Sequence, residues 1–347
     1  MGGSVNLTKA IAPRWPIVGS LTALCLGMLA SSAFASSSWH TYTNAAGTRQ
    51  YLLEVPDKKV MSPPLVVYLH GCNQTAAGVA KDSGWAKLAD EDGFVAVFPQ
   101  EPTQPSDTVL KGCWGWPSSA NQHRGSGEPS ILAGITNEVA AAEHVDRRRI
   151  YVAGLSAGAY MTNILAVSYP DLYAAAGILA GGPYGTGTDS TLDMTGGAIV
   201  QEMGPRKRAV PVIVTQATND NINPYAAGFA AVQQWLNAYD LIDDGRENDS
   251  VSHLPASLDT HYKAEPPQPR NPTVCDPLAP CLGGIAGLGS YPYTVAHYVD
   301  PRGGSLLDFW TIYVANHDYT GGTGTFMDPT GPSMTAASYT FLFRHHL

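Results

Sequence analysis

Between residues 150 and 168 the chain reads Ile-Tyr-Val-Ala, then Gly154-Leu155-Ser156-Ala157-Gly158, then an almost unbroken apolar run to Ser168. An apolar run of strand length, a glycine-flanked serine and a run of helical length predict strand, tight turn and helix in that order. The pentapeptide alone is a weak signal, because 36 of the 347 residues are glycine. Its context is what constrains the fold. It occurs once, at a strand-to-helix junction, where both glycines have a physical role if the backbone is strained at the serine and neighbouring segments come too close for a Cβ. Ser156 also stands at the start of the helix, where the dipole favours developing negative charge. Ser156 is therefore a candidate nucleophile.

Short apolar runs alternate with amphipathic stretches along the rest of the chain. Strands are expected at Tyr51–Val55, Leu65–Leu69, Phe94–Phe98, Ile150–Ala153, Ala176–Ala180, Val210–Thr215 and Phe309–Ala315. Helices are expected at Thr75–Asp90, Ser130–His144, Ala157–Ser168, Pro224–Tyr239 and Met334–His345. This alternation predicts an α/β fold, with a mostly parallel central sheet and helices on both faces in a single domain. Residues 243–301 are polar, rich in proline and glycine, and without clean periodicity. They read as an irregular excursion beyond the sheet, not as a separate domain.

A serine hydroxyl becomes a useful nucleophile when a histidine takes its proton and a carboxylate orients that histidine. After a nucleophile elbow the chain order is serine, acid, histidine. The expected strand Val210–Thr215 runs into Gln216-Ala217-Thr218-Asn219-Asp220, which puts Asp220 on a loop just past a strand's carboxyl end, where sheet enzymes place reacting groups. Asp240, Asp243 and Asp244 lie at a helix end or in the acidic loop beyond it, where capping and solvation are the ordinary roles. Of the histidines after Asp220, only His317 follows an apolar strand and precedes a glycine-rich loop, Thr320-Gly321-Gly322. His253 and His261 fall in the irregular excursion, His297 near its end, and His345 and His346 close the chain. His317 is the candidate base.

Acyl transfer also needs N–H donors aimed at the developing oxyanion. The Ala157 amide follows the nucleophile, and Leu65–Leu69 runs into His70-Gly71-Cys72, so the Cys72 amide is the second candidate. Glu128, just before the expected helix Ser130–His144, marks a helix start. No phosphate-binding loop and no metal-ligand spacing occur, so no cofactor and no metal are expected.

Residues 1–35 read as a signal peptide: Lys9 and Arg14, an apolar run from Ile17 to Ala30, then Ala33-Phe34-Ala35 as a cleavage site. The apolar run of about 14 residues is shorter than a bilayer span. Leu24 before Cys25 argues against lipoprotein processing. Cleavage after Ala35 leaves 312 of the 347 residues, and losing Lys9 and Arg14 takes the net charge from −9 to −11. Such a chain repels nucleic acid and anionic membranes, and nothing in it calls for an obligate protein partner. Four cysteines remain: Cys72, Cys113, Cys275 and Cys281. An even number in an exported protein argues for two disulfides over a zinc site, since no Cys-x-x-Cys spacing exists. Three pairings are available. The short Cys275–Cys281 interval, bracketed by Pro277 and Pro280, looks like a local clip, leaving Cys72 with Cys113. That bridge would tie the His70-Gly71-Cys72 loop to Trp114-Gly115-Trp116, bringing Trp114 and Trp116 forward as substrate contacts.

His70-Gly71-Cys72-Asn73-Gln74-Thr75, Cys113-Trp114-Gly115-Trp116, Gly127-Glu128-Pro129-Ser130-Ile131 and the stretch from Val145 to Gly185 resemble the extracellular poly(3-hydroxybutyrate) depolymerase-like esterases, from about Tyr51 onward. The resemblance implies an α/β-hydrolase: a secreted serine esterase cleaving short-chain polyhydroxyalkanoate or its oligomers, with feruloyl and acetylxylan esterases as relatives. The family commonly has His-Gly-Thr-Ala-Asp where this chain has Gln216-Ala217-Thr218-Asn219-Asp220. It has Gly-His followed by Trp and glycines where Asn316-His317-Asp318-Tyr319 stands here. The walls of the site therefore differ, and neither a linker nor an appended polymer-binding domain is expected. Esterolysis of plant cell-wall esters is the alternative activity. A non-catalytic exported binding protein is a third reading, which loss of a triad member would favour; all three are present.

Overall fold

The computed structural model describes residues 1–3, 36–102, 112–187, 192–261 and 291–347. The described residues from Ser36 to Leu347 belong to one compact unit. The expected signal peptide and the Cys275–Cys281 pair lie outside the described residues.

The elements run β1 (Ser36–Asn44), β2 (Gly47–Val55), β3 (Leu65–Leu69), α1 (Ala76–Asp82), α2 (Trp85–Asp92), β4 (Val95–Gln100), α3 (Gly127–Ala142), β5 (Ile150–Leu155), α4 (Ala157–Ser168) and β6 (Ala175–Leu179). They continue with α5 (Gly197–Met203), β7 (Val212–Ala217), α6 (Tyr225–Asp243), β8 (Ser257–His261), β9 (Tyr293–Val299), β10 (Ser305–Ile312), β11 (Tyr319–Thr320), β12 (Met327–Asp328) and α7 (Met334–Leu342). Ten strands form one sheet in the order β1-β2-β4-β3-β5-β6-β7-β10-β9-β8. Pairing is parallel from β4 through β10 and antiparallel at both margins.

Central strands β3, β5, β6 and β7 are buried at every position, as a parallel sheet covered on both faces requires. Side chains alternate between two cores. Val95 and Val97 of β4 join the layer of α3, α4, α5 and α6, whereas Ala96 and Phe98 join that of α1, α2 and α7. All twelve residues of α4 are buried, so the helix is packed on every side, and the Asn163 amide is paired with Gly182 O and the Trp235 indole. The chain leaves β3 toward β4 on one side, while β5 lies on the other, so the order reverses between β3 and β5. Open α/β sheets place their sites at the carboxyl ends of strands at such a switch point.

Several boundaries differ from expectation for physical reasons. The helix expected over Thr75–Asp90 is two helices, broken at Gly84, whose φ of 87° no helix accommodates. The strand expected over Phe309–Ala315 starts earlier and ends at Ile312, with Val314 turning at φ 61°. Residues 243–301 are not wholly an excursion beyond the sheet: their described parts supply β8 and β9, which lengthen it. The edge strand β8 is mostly exposed and carries little apolar signal, and β1 is likewise a polar edge strand.

Near one margin, Arg49 of β2 and Glu128 of α3 form a buried ion pair, Nη2 to Oε1 at 2.7 Å, with side chains 5% and 4% exposed. Glu128→Ala should destabilise the fold by about 3–5 kcal/mol, because it strands the Arg49 charge. Urea unfolding measures this, and a second change, Arg49→Met, should recover part of the loss.

Candidate active site

The elbow between β5 and α4 holds Ser156 at φ 56°, ψ −119°, a conformation costing about 1–3 kcal/mol in a non-glycine residue. Its amide donates to Leu179 O at 2.9 Å, and its carbonyl accepts from Ala159 and Tyr160. Both flanking glycines are sterically required. A Cβ on Gly154 would lie 2.5 Å from Gly158 O, and one on Gly158 would run into the carbonyl oxygens of Leu69 and His70. The first turn of α4 therefore rests directly on the carboxyl end of β3.

That contact brings the His70-Gly71-Cys72 segment to the serine. A Cβ on Gly71 would sit 3.5 Å from Ser156 Cβ. His70 is fully buried, and its Nδ1 donates to Gly71 O at 2.7 Å while its Nε2 accepts from Glu101 N at 3.1 Å. Its carbonyl accepts from Trp114 Nε1 at 2.9 Å. Cys72 is bonded to Cys113, as expected. That bridge spans 41 residues of sequence, a closure worth roughly 4 kcal/mol on the loop-entropy account. The Cys72 and Ala157 amides have no hydrogen-bond partner among the described residues.

Asp220 and His317 leave β7 and β10, which are parallel neighbours, at the same edge of the sheet. His317 Nδ1 bonds Asp220 Oδ2 at 2.7 Å, and both groups are buried. Asp220 Oδ2 also accepts from Gln216 Nε2 at 3.0 Å, while Oδ1 accepts from the Ile222 and Asn223 amides at 2.9 and 2.8 Å. Four bonds thus hold the carboxylate in one orientation. The two loops are zipped together by Thr218 N to Ile312 O, Asn219 N to Ala315 O and Val314 N to Thr218 Oγ1. Leu155, Ala180, Asn316 and Asp318 line one small cavity, so the residues flanking Ser156 and His317 converge. Burial first, then the charge of Asp328, holds Asp318 above the usual carboxylate range.

Two rivals, Asp240 and His297, are otherwise engaged. Asp240 accepts from the amides of Asn248, Asp249 and Val251 and from Ser250 Oγ. His297 lies within β9 with Asp308 at 2.6 Å and Asp259 at 3.4 Å. Trp114 does not fit its expected substrate role: its ring is fully buried and braces the His70 carbonyl. Trp116 is half-buried and stacks on Tyr160, one turn into α4, with centroids 5.2 Å apart. Burial, reinforced by the Asp220 carboxylate, pushes the Tyr160 phenol up to about 12.

Some supporting residues carried no sequence signal of their own. Glu128 does start α3, but its Oε2 also accepts the Gly115 amide, and Asn121 Nδ2 donates to Gly115 O at 2.9 Å. Gln216 donates from Nε2 to the candidate acid Asp220. Such polar contacts follow no strand or helix period and leave no periodic trace in the sequence.

The fold and the strained serine elbow are those of an α/β-hydrolase, in the esterase class. More particularly, the chain belongs to the esterase PHB depolymerase family, whose pattern it matches over residues 50–233. It is similar to poly(3-hydroxyalkanoate) depolymerase C of Paucimonas lemoignei, with 29% identity over 340 residues, 97% of this chain and 72% of that protein. It is 34% identical over 155 residues to a probable acetylxylan esterase A of Aspergillus fumigatus, 44% of this chain and 40% of that one. Among solved structures, an acetyl xylan esterase from Aspergillus awamori shares the fold with a TM-score of 0.62 and 18% identity, covering 88% of this chain and 99% of that one.

Burial lowers His70 from 6.5 to about 4, against the bond to Gly71 O. Burial, with repulsion from Arg344, lowers His345 likewise to about 4. Each is neutral in the fold, and unfolded chains bind protons first as pH falls. Stability from these two groups is therefore complete above pH 6.5 and lost as pH falls toward 4, by about 3 kcal/mol each. Urea unfolding across that window should show the loss, and His70→Asn should remove about half of the slope.

Proposed function

We propose that the chain is an exported serine esterase acting on ester bonds of short-chain polyhydroxyalkanoate or its oligomers. The 2.7 Å His317–Asp220 contact on loops leaving the same sheet edge as the Ser156 elbow carries this reading. Ser156 Oγ attacks the ester carbonyl while His317 Nε2 takes its proton, and Asp220 keeps Nδ1–H of that ring fixed and stabilises the imidazolium. The Cys72 and Ala157 amides hold the oxyanion of the tetrahedral intermediate. Collapse of that intermediate expels the alcohol end of the substrate, which takes the proton back from His317. Water, activated by the same histidine, then releases the acid and restores the serine. The half-buried face of Trp116, stacked beside the first turn of α4, serves as a wall for the substrate.

The substrate class rests on the Paucimonas depolymerase, whose match extends through 97% of this chain. Acetylated or feruloylated plant-wall polysaccharide is the second reading, favoured by 34% identity to the acetylxylan esterase over 44% of the chain. Export rests on Lys9, Arg14, the apolar run and Ala33-Phe34-Ala35.

With amorphous poly(3-hydroxybutyrate), methyl ferulate and acetylated xylan assayed in parallel, the parent should release 3-hydroxybutyrate or its oligomers, and Ser156→Ala should lose the activity by at least about 1000-fold. An intact polymer alongside Ser156-dependent turnover of the plant esters would replace the first substrate with the second. The protein recovered from the medium should begin at Ser36 on amino-terminal sequencing; no protein in the medium would contradict export, and an uncleaved Met1 would contradict cleavage after Ala35.

A further inference from the structure

Gln74 belongs to the His70–Thr75 block but has no part in the acyl-transfer steps above. It is buried, and it binds both main-chain groups of Gly71: its Oε1 accepts the Gly71 amide at 2.8 Å and its own amide donates to Gly71 O at 3.2 Å. Asn73, at φ 61°, supplies the left-handed residue that closes this turn. The other end of the Gln74 side chain reaches across the molecule, Nε2 donating to Thr325 O at 2.8 Å. Thr325 precedes Phe326, whose carbonyl accepts the Tyr319 amide at 2.8 Å, two residues beyond His317. One side chain therefore ties the segment beside Ser156 to the loop that follows His317. A carboxamide is the group suited to this, since one end must accept and the other donate; glutamate at neutral pH only accepts, and asparagine is a methylene shorter.

We propose that Gln74 is a positioning residue that sets the oxyanion hole, an inference that rests on the serine-esterase reading above. By occupying the Gly71 N–H, it removes that amide as a donor and leaves the Cys72 N–H, next along the chain, to meet the oxyanion. By holding Thr325, it keeps this donor in register with the loop of His317. Its effect falls on the transition state, where the oxyanion exists, and not on binding of the neutral ester.

The test uses Gln74→Met, which keeps the volume but forms neither bond, and Gln74→Glu, which keeps only the bond to Gly71. Rates on soluble p-nitrophenyl butyrate are divided by the number of active serines, counted at the endpoint of titration with a fluorophosphonate. Gln74→Met should lower kcat per titrated site by about 10- to 100-fold with KM changed less than about twofold. Gln74→Glu should fall between Met and the parent. A purely structural role would reduce the number of titratable sites while leaving turnover per site at the parent value, and that result overturns the proposal. So does a rise in KM at unchanged kcat. Ser156→Ala run beside them separates the two levels: parent-like turnover in that variant overturns the serine reading together with this one, whereas an inactive Ser156→Ala with parent-like Gln74→Met overturns this one alone.

Discussion

The close crossing of α4 over the carboxyl end of β3 is the contact on which the rest of the site depends. Gly158 lies against the carbonyl oxygens of Leu69 and His70, and Gly154 against Gly158 O, with no room for a Cβ at either place. This crossing occurs where the strand order reverses between β3 and β5. It forces the chain to turn within one residue, which drives Ser156 to φ 56° and sets it beside Gly71. Strain of that kind persists only where the surroundings over-determine it. Here they do: β5 is buried at all six positions and α4 at all twelve, so neither can shift to relax the turn.

Around this crossing, two segments are held by different means. The His70-Gly71-Cys72 segment is fastened by the Cys113 bridge, the Trp114 indole and the side chain of Gln74, with neutral His70 buried behind it. The Trp114–Trp116 segment is braced in turn by Asn121 and by Glu128, whose other oxygen is bound to Arg49. The Asp220 and His317 loops are instead joined to each other by main-chain and Thr218 bonds that continue the β7–β10 pairing past the sheet edge. Preorganised donors stabilise a transition state because they need no reorganisation when charge develops. On the proposed serine-esterase mechanism, the fixed segment at Cys72 and the fixed His317–Asp220 pair would serve that requirement.

Much of this was legible in the sequence. Leu65–Leu69 and Ala157–Ser168 have the boundaries expected of them, because a buried central strand and a fully buried helix leave mostly hydrophobic runs. Chain order and strand-end position put Asp220 ahead of Asp240 and His317 ahead of His297, and the structure sets Asp220 and His317 in contact. Polar edge strands were not legible: β8 reads Ser-Leu-Asp-Thr-His and is mostly exposed, so its place in the sheet comes from pairing with β9 and not from its own pattern. Gln74, Asn121 and Gln216 were equally silent, because an amide side chain shows its use only through partners it meets in the folded chain. Trp114 misled for the converse reason, since a tryptophan near a site in sequence is as ready to fill a core as to face a substrate.

The strained elbow should make Ser156 the one serine that reacts with a phosphonylating reagent. Labelling the folded protein with a fluorophosphonate, then digesting it and mapping the adduct by mass spectrometry, tests this directly. A single phosphonyl group is expected on the peptide containing Ser156, absent after unfolding in urea before labelling. An adduct on another residue, or a folded protein that takes up no label, would contradict it.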